Sequence, residues 1–392
     1  MTTTAPTPAP APPPPAAETP APPKPRPTVT IRGKQVPVIL PKWTDPRLKL
    51  SATIWAITLI GLILLRFQVS IPQIAVTVLL CGILEMVVTG RREHVLVWPA
   101  SALQTGISVA FIFRVAGMKH GQWWSVKSLG LYIAITFMSM LPKYLIRHNN
   151  RHIFNPSNIG LAWALLFFGP SHVFSEHLWW APLGWKILLA FAVIFAGAYW
   201  VLKQVKMIPL ATMFLGVFLP LIGLFALFGR NYWAVWHHGR VGGTFYWLTI
   251  ALSPELLIFV FFMITDPQTA PKTKQGRLIY AALTAVVCAG LILPQRTEFG
   301  IKVSILSSLI VTCALSPAID RWVRRMEARK ADPEWKPEPQ LPAMQRFFGA
   351  MRKPVLVVVT VVALAAPINT LLLVKDKSAE LIERGLTSRV VQ

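Results

Sequence analysis

The sequence predicts an all-α membrane protein, a polytopic helical bundle of about ten or eleven transmembrane helices. Three observations carry that expectation. The 392 residues are 54% hydrophobic and only 14% charged, with a mean hydropathy of +0.53, outside the range of a soluble domain of this length. Apolar runs long enough to cross a hydrocarbon slab of about 30 Å, which takes about 20 helical residues, recur along the chain between short basic or Pro/Trp-containing turns. Finally, stretches such as Ile54 to Leu65 and Leu356 to Ala366 are continuously apolar, whereas a membrane β-barrel would alternate in polarity.

The apolar windows place spans near 50–67, 71–89, 97–114, 125–146, 156–170, 184–202, 207–228, 245–265, 278–293, 301–317 and 355–373. The window at 245–265 is interrupted by Ser253 and Pro254, and that at 156–170 is short. Both predict broken or tilted helices, which a membrane tolerates only where freed backbone is buried in protein or lines a cavity.

Before the first span, residues 1 to about 28 hold twelve prolines among Ala and Thr. That composition forms neither helix nor core, so residues 1–48 are expected to be a disordered Pro-rich cytoplasmic tail. It has no basic region followed by an apolar one, and a cleavable signal peptide is not expected. Residues 326–354 read as a basic cytoplasmic linker, and 355–392 as an additional C-terminal transmembrane helix with a short tail.

A formal charge of +23 raises the question of nucleic acid, but such a binder gathers its cations on one exposed face. Here they fall between hydrophobic runs, as in loops held against anionic headgroups, so membrane lipid is the expected partner and nucleic acid is not. Alternate loops carry Arg91 and Arg92; Lys143, Arg147 and Arg151; Lys203 and Lys206; Lys272, Lys274 and Arg277; and the segment Arg321 to Lys353, while the intervening loops are poorer. By the positive-inside rule the N-terminus is expected in the cytoplasm and, with eleven spans, the C-terminus outside. Cys81, Cys288 and Cys313 stand singly in apolar helices, which predicts buried small hydrophobes and no metal site.

Two stretches concentrate polar groups. RHIFNPSNIG (151–160) places Asn155 and Asn158 three apart on one helical face, with Pro156 suited to a first turn and Asn155 to its N-cap. The pair reads either as a capped helix start or as two amides able to hold a heterocycle or phosphate. FFMITDPQTAPKTKQGRLIY (261–280) ends an apolar helix at Asp266, which either caps its own turn or pairs with Arg277. Glu85, Gln104 and Glu255 are further polar residues within apolar windows, a class that usually faces the bundle interior. In the outer loop, His177, Trp179 and Trp180 read as part of an interfacial aromatic belt.

SALQTGISVAFIF (101–113), FNPSNIG (154–160), MITDPQTAPKTKQGRLIYAAL (263–283) and CALSPAIDRW (313–322) together resemble the NqrB/RnfD family, the flavin-carrying membrane subunits of Na+-translocating NADH:quinone oxidoreductase and of the Rnf complex. The resemblance covers about residues 50–325, making 49–325 the family-like core, and it is closest to the UnbU-type branch of enediyne biosynthesis. It implies a membrane electron-transport subunit with redox partner proteins and a flavin. Family members hold flavin phosphate covalently on an outer-side threonine, but the corresponding loop here, SEHLWWAPLGW (175–185), has none. Covalent FMN is therefore not expected, with Thr244 as the one displaced acceptor. Non-covalent FMN or riboflavin is expected, lined by Asn155, Asn158, Asp266 and Arg277, with His152 as a donor; no catalytic residue is assigned. The competing functions are a transmembrane transporter of a small molecule or ion, using the same broken helices, and a cofactor-free membrane anchor for a redox partner.

Overall fold

The computed structural model describes residues 27–31, 34–148 and 151–332. It is an all-α polytopic membrane protein. In chain order the helices are α1 (Pro46–Ile63), α2 (Ile71–Glu93), α3 (Ala100–Ile112), α4 (Leu129–Leu145), α5 (Pro156–Phe168), α6 (Trp185–Val205), α7 (Ile208–Leu227), α8 (Gly243–Ala251), α9 (Pro254–Ile258), α10 (Lys274–Ile292) and α11 (Glu298–Ala331). A π-helical turn, Phe259–Met263, continues α9. Among the described residues, seven helical segments are long and apolar enough to cross a membrane, counting Gly243–Met263 as one, and α3, α4 and α5 are shorter apolar helices. These ten coincide with the first ten predicted windows. The eleventh window, 355–373, and the predicted outside C-terminus lie outside the described residues.

Local chemistry sets the helix starts. Asp45, Ser70, Asn155, Ser253, Thr273 and Thr297 each cap a first turn by accepting a backbone N–H, and Ser70 with Gln73 completes a reciprocal capping box. A proline occupies the first turn after four of these caps, where its missing N–H costs nothing. The break expected at Ser253 and Pro254 is present and separates α8 from α9.

The bundle packs α5 at its centre, between α4 and α11, with α3 against α2 and α10 between α7 and α11. From Pro156 to Leu165 every residue of α5 is buried. Close approach of α4 depends on Gly160, where a Cβ would meet the Ser139 hydroxyl and, at 2.9 Å, the Ser139 Cα. On the periphery, Leu59 and Ile63 of α1, Leu79 and Ile83 of α2, and Leu188 and Phe195 of α6 are exposed. Apolar side chains spread along the outer helices form a lipid-facing surface, which in water would be an association hazard.

Two features depart from the sequence expectations. Within the predicted tail, Thr28–Ile31 and Lys34–Ile39 pair as antiparallel strands, and the second strand pairs in parallel with Leu96–Val97. The alternation of β-branched and polar residues in TVTI and KQVPVI was obscured by the adjoining prolines. The helix α11 also runs on to Ala331, into the predicted linker, because RWVRRMEARKA contains no helix breaker.

Candidate functional site

α3 and α5 have only 13 residues each, about 20 Å of helix, too short to cross the hydrocarbon core. Their two ends are completed differently. At the basic end, the chain entering α5 and the chain leaving the π-turn enclose a cavity of about 430 Å³. At the opposite end, Phe113–Val115 and Val173–Ser175 pair as a short antiparallel ladder that satisfies the non-helical backbone.

The cavity has one polar edge and apolar walls. Asn155, 8% exposed, uses its Oδ1 twice, accepting the Asn158 N–H at 3.2 Å and the Ser157 hydroxyl at 2.9 Å. Its Nδ2 lies 3.5 Å from both the Met263 carbonyl and Asp266 Oδ2, at the outer limit of hydrogen bonding, so its donor capacity is largely unspent. Asp266 Oδ1 accepts the Gln268 N–H at 2.9 Å. Gln104, held by the Ser51 hydroxyl at 2.7 Å and donating to Ser108 at 3.2 Å, also lines the cavity, while Phe111, Ile258, Phe261 and Phe262 form its apolar side. Near the mouth, the Arg47 guanidinium holds the Asp45 carboxyl below its usual range against the opposing effect of burial.

His152 lies where the cavity meets a neighbouring basic hollow. Its Nδ1 is 2.9 Å from the Phe154 carbonyl. A carbonyl only accepts, so the neutral ring carries its proton on Nδ1 and Nε2 is an acceptor. Burial holds the imidazole below its ordinary value, helped by Lys143 and Arg147 and opposed by Asp266. The donor role expected from the sequence therefore needs the protonated ring.

Of the five residues predicted to line the site, the fold brings His152, Asn155 and Asp266 together at this cavity. It does not bring the other two to the cavity wall. Asn158 turns away and donates through Nδ2 to the Leu306 carbonyl of α11 at 2.8 Å; its buried Oδ1 has no partner among the described residues. Arg277 donates through Nε to the Pro271 carbonyl at 3.0 Å and, among the described residues, forms no ion pair with Asp266.

The sequence reading missed a buried charge network at the other end. Arg114, fully buried, pairs with Glu176, and Lys302 donates to the Glu176 backbone carbonyl. Lys302 also lies 3.3 Å from Glu298, whose Oε1 accepts the Leu178 N–H at 2.5 Å; His177 is 3.6 Å from the same carboxylate. Arg114 and Glu176 are 62 residues apart, so no local spacing relates them; the available signal was an Arg terminating an apolar run. The expected aromatic belt also differs. Trp180 is buried edge-on against Phe67 and Phe111 with ring centres 5.4 Å apart, and half-buried Trp179 donates to the Thr249 carbonyl at 3.1 Å. The loop folds inward to cap the short helices, which removes these rings from the interface. Glu255 meets the Trp180 indole N–H at 3.4 Å. Thr244, the displaced acceptor considered above, is exposed at the start of α8.

Fold and site thus define a polytopic helical membrane protein with an internal polar-edged cavity at its basic end. Over 73 residues the chain is 34% identical to a subunit of the ion-translocating oxidoreductase complex of Halorhodospira halophila (strain DSM 244 / SL1). That similarity covers 19% of this chain and 19% of the length of that relative. No family model matches the chain.

Proposed function

We propose that this chain is a membrane electron-transport subunit of RnfD/NqrB type, which holds FMN or riboflavin non-covalently and passes reducing equivalents between a redox partner protein and an acceptor. The observation that carries the reading is the cavity itself, in which the underused Asn155 amide and the Asp266 carboxylate face a largely apolar chamber. Its volume, about 430 Å³, falls within the range of small-molecule sites, roughly 300–1,000 Å³. A planar heteroaromatic ring with one hydrogen-bonding edge fits that chemistry. The local similarity to a subunit of an ion-translocating oxidoreductase complex supports the same class.

In this reading Asn155, its amide fixed through Oδ1 by the Ser157 hydroxyl and the Asn158 N–H, donates to the ring's carbonyl edge beside Asp266, and the aromatic and aliphatic wall excludes water. Asn158 and Arg277 act behind the site, Asn158 by fastening α5 to α11 and Arg277 by bracing the turn after Asp266. His152 offers an acceptor when neutral and a donor when protonated. A flavin, when bound, supplies the one- and two-electron chemistry, and the protein supplies position and electrostatics. The basic end faces the cytoplasm, following the loop charges, and the partners are other members of a complex. A role in redox steps of secondary-metabolite biosynthesis, of UnbU type, is the finer form of the reading.

The transporter alternative draws on one specific observation, the α8–α9 break followed by a π-turn beside half-buried Glu255, since broken helices and π-turns often mark sites. Flavin absorbance of the purified protein separates the two. Retained flavin supports electron transport; a protein that takes up none after incubation with excess FMN or riboflavin contradicts it.

A further inference from the structure

Beside the cavity, a second hollow of about 260 Å³ opens among the chain leading into α5, the turn after Asp266 and the stretch of α11 from Cys313 to Arg324. Arg151, Lys272, Arg321 and Arg324 line it, with His148 and His152 alongside. Asp320 is the one carboxylate among its lining residues, and it is committed: it accepts the backbone N–H of Lys272 at 2.8 Å, and the N–H and hydroxyl of Thr273 at 3.1 and 3.0 Å. Among the described residues, none of the four permanent cations is in an ion pair.

Gathering four like charges around one hollow raises its positive potential and favours an anion there. The residue types narrow the anion. Arg321 and Arg324 stand three apart on α11, on one helical face, and guanidinium forks match the paired oxygens of phosphate. The volume suits a head group rather than a whole nucleotide. His152 and Gln268 line both the hollow and the cavity, so the two spaces adjoin.

We infer that this hollow is a phosphate-anion site. Resting on the flavin reading above, the phosphate is that of a flavin whose ring lies in the cavity, which selects FMN over riboflavin. The other source of the same chemistry is the head group of an anionic phospholipid reaching in from the leaflet.

The test uses the full-length protein in detergent free of anionic lipid, with FMN, riboflavin and radiolabelled inorganic phosphate as probes, and Arg321→Gln/Arg324→Gln as the variant. Both arginines are exposed, so the double variant is expected to fold, and unchanged riboflavin binding reports an intact cavity. FMN should bind about tenfold or more tightly than riboflavin, the double variant should abolish that difference, and phosphate should compete with FMN but not with riboflavin. If neither flavin binds while phosphate is saturably retained by wild type and lost in the variant, the phosphate site stands and the flavin reading fails. In that case, displacement of phosphate by phosphatidylglycerol nanodiscs, and not by phosphatidylcholine nanodiscs, identifies the lipid head group as its source. Equal affinity for FMN and riboflavin, with no phosphate retention that the double variant removes, overturns the inference.

Discussion

The Asn155 side-chain oxygen accepts the backbone N–H of Asn158 at 3.2 Å, so these two residues, three apart on α5, divide the work rather than share a ligand. Asn155 caps the start of the helix and keeps a donor toward the cavity. Asn158 spends its amide on the Leu306 carbonyl.

Substitutions at the two positions should therefore separate stability from ligand binding. Asn158→Leu removes the bond that ties α5 to the Leu306 carbonyl, which α11 still pairs along its own backbone, and should cost about 0.5–1.5 kcal/mol, with flavin content per folded protein unchanged. Asn155→Ser preserves a capping oxygen but is too short to present a donor to the cavity, so it should lower flavin affinity with little change in melting temperature. Flavin loss in Asn158→Leu together with full retention in Asn155→Ser would invert the assignment.

The His152 ring confers a pH dependence with a definite sign. In the unfolded chain it titrates near its ordinary 6.5, and in the fold burial, Lys143 and Arg147 move its titration lower. Between the two values the unfolded chain binds more protons, so its contribution to stability is intact above about 6.5 and is lost as pH falls through the folded value. Melting temperatures measured from about pH 8 to about pH 5 should fall less steeply in His152→Gln than in wild type. Identical profiles would remove His152 as the cause.

At the opposite end, Glu176→Ala would leave the fully buried Arg114 guanidinium without its carboxylate. Breaking such a pair costs about 3–5 kcal/mol, whereas replacing both partners by apolar residues costs far less. Unfolding curves of Glu176→Ala and of Arg114→Met/Glu176→Leu should show the double variant to be the more stable. If the single variant is instead the more stable of the two, the pair does not hold this end together.

Gly160 should be intolerant of any side chain. Gly160→Ala drives a methyl group into Ser139 and should cost about 1–3 kcal/mol, as overpacking does. Adding Ser139→Gly should recover only part of the loss, because the Ser139 Cα, 2.9 Å from the new methyl, stays in place. A neutral Gly160→Ala would mean that α4 and α5 pack less closely.

The ten described membrane helices were legible because each is an apolar run, and several begin at a capping residue followed by proline, as at Asp45, Ser70 and Asn155. The polar edge of the cavity was legible in part: Asn155 opens α5 and Asp266 follows the π-turn, places where polar side chains meet a bundle. Periodicity placed Asn158 on the same face as Asn155, yet it does not say which neighbouring helix that face meets, and α11 takes the second amide. The Arg114–Glu176 pair and the inward turn of Trp180 depend on contacts across the chain, and a Trp in a loop reads alike whether it faces lipid or core. The π-turn at Phe259–Met263 has no composition that distinguishes it from α-helix.

The central claim is that the cavity beside Asn155 holds a flavin without a covalent bond. The most direct test is the absorption spectrum of the detergent-purified protein after incubation with excess FMN and desalting, taken before and after denaturation. The two visible bands of an oxidised flavin should travel with the folded protein and leave it on denaturation. A desalted protein with neither band, or a flavin that stays on the chain after denaturation, would contradict it.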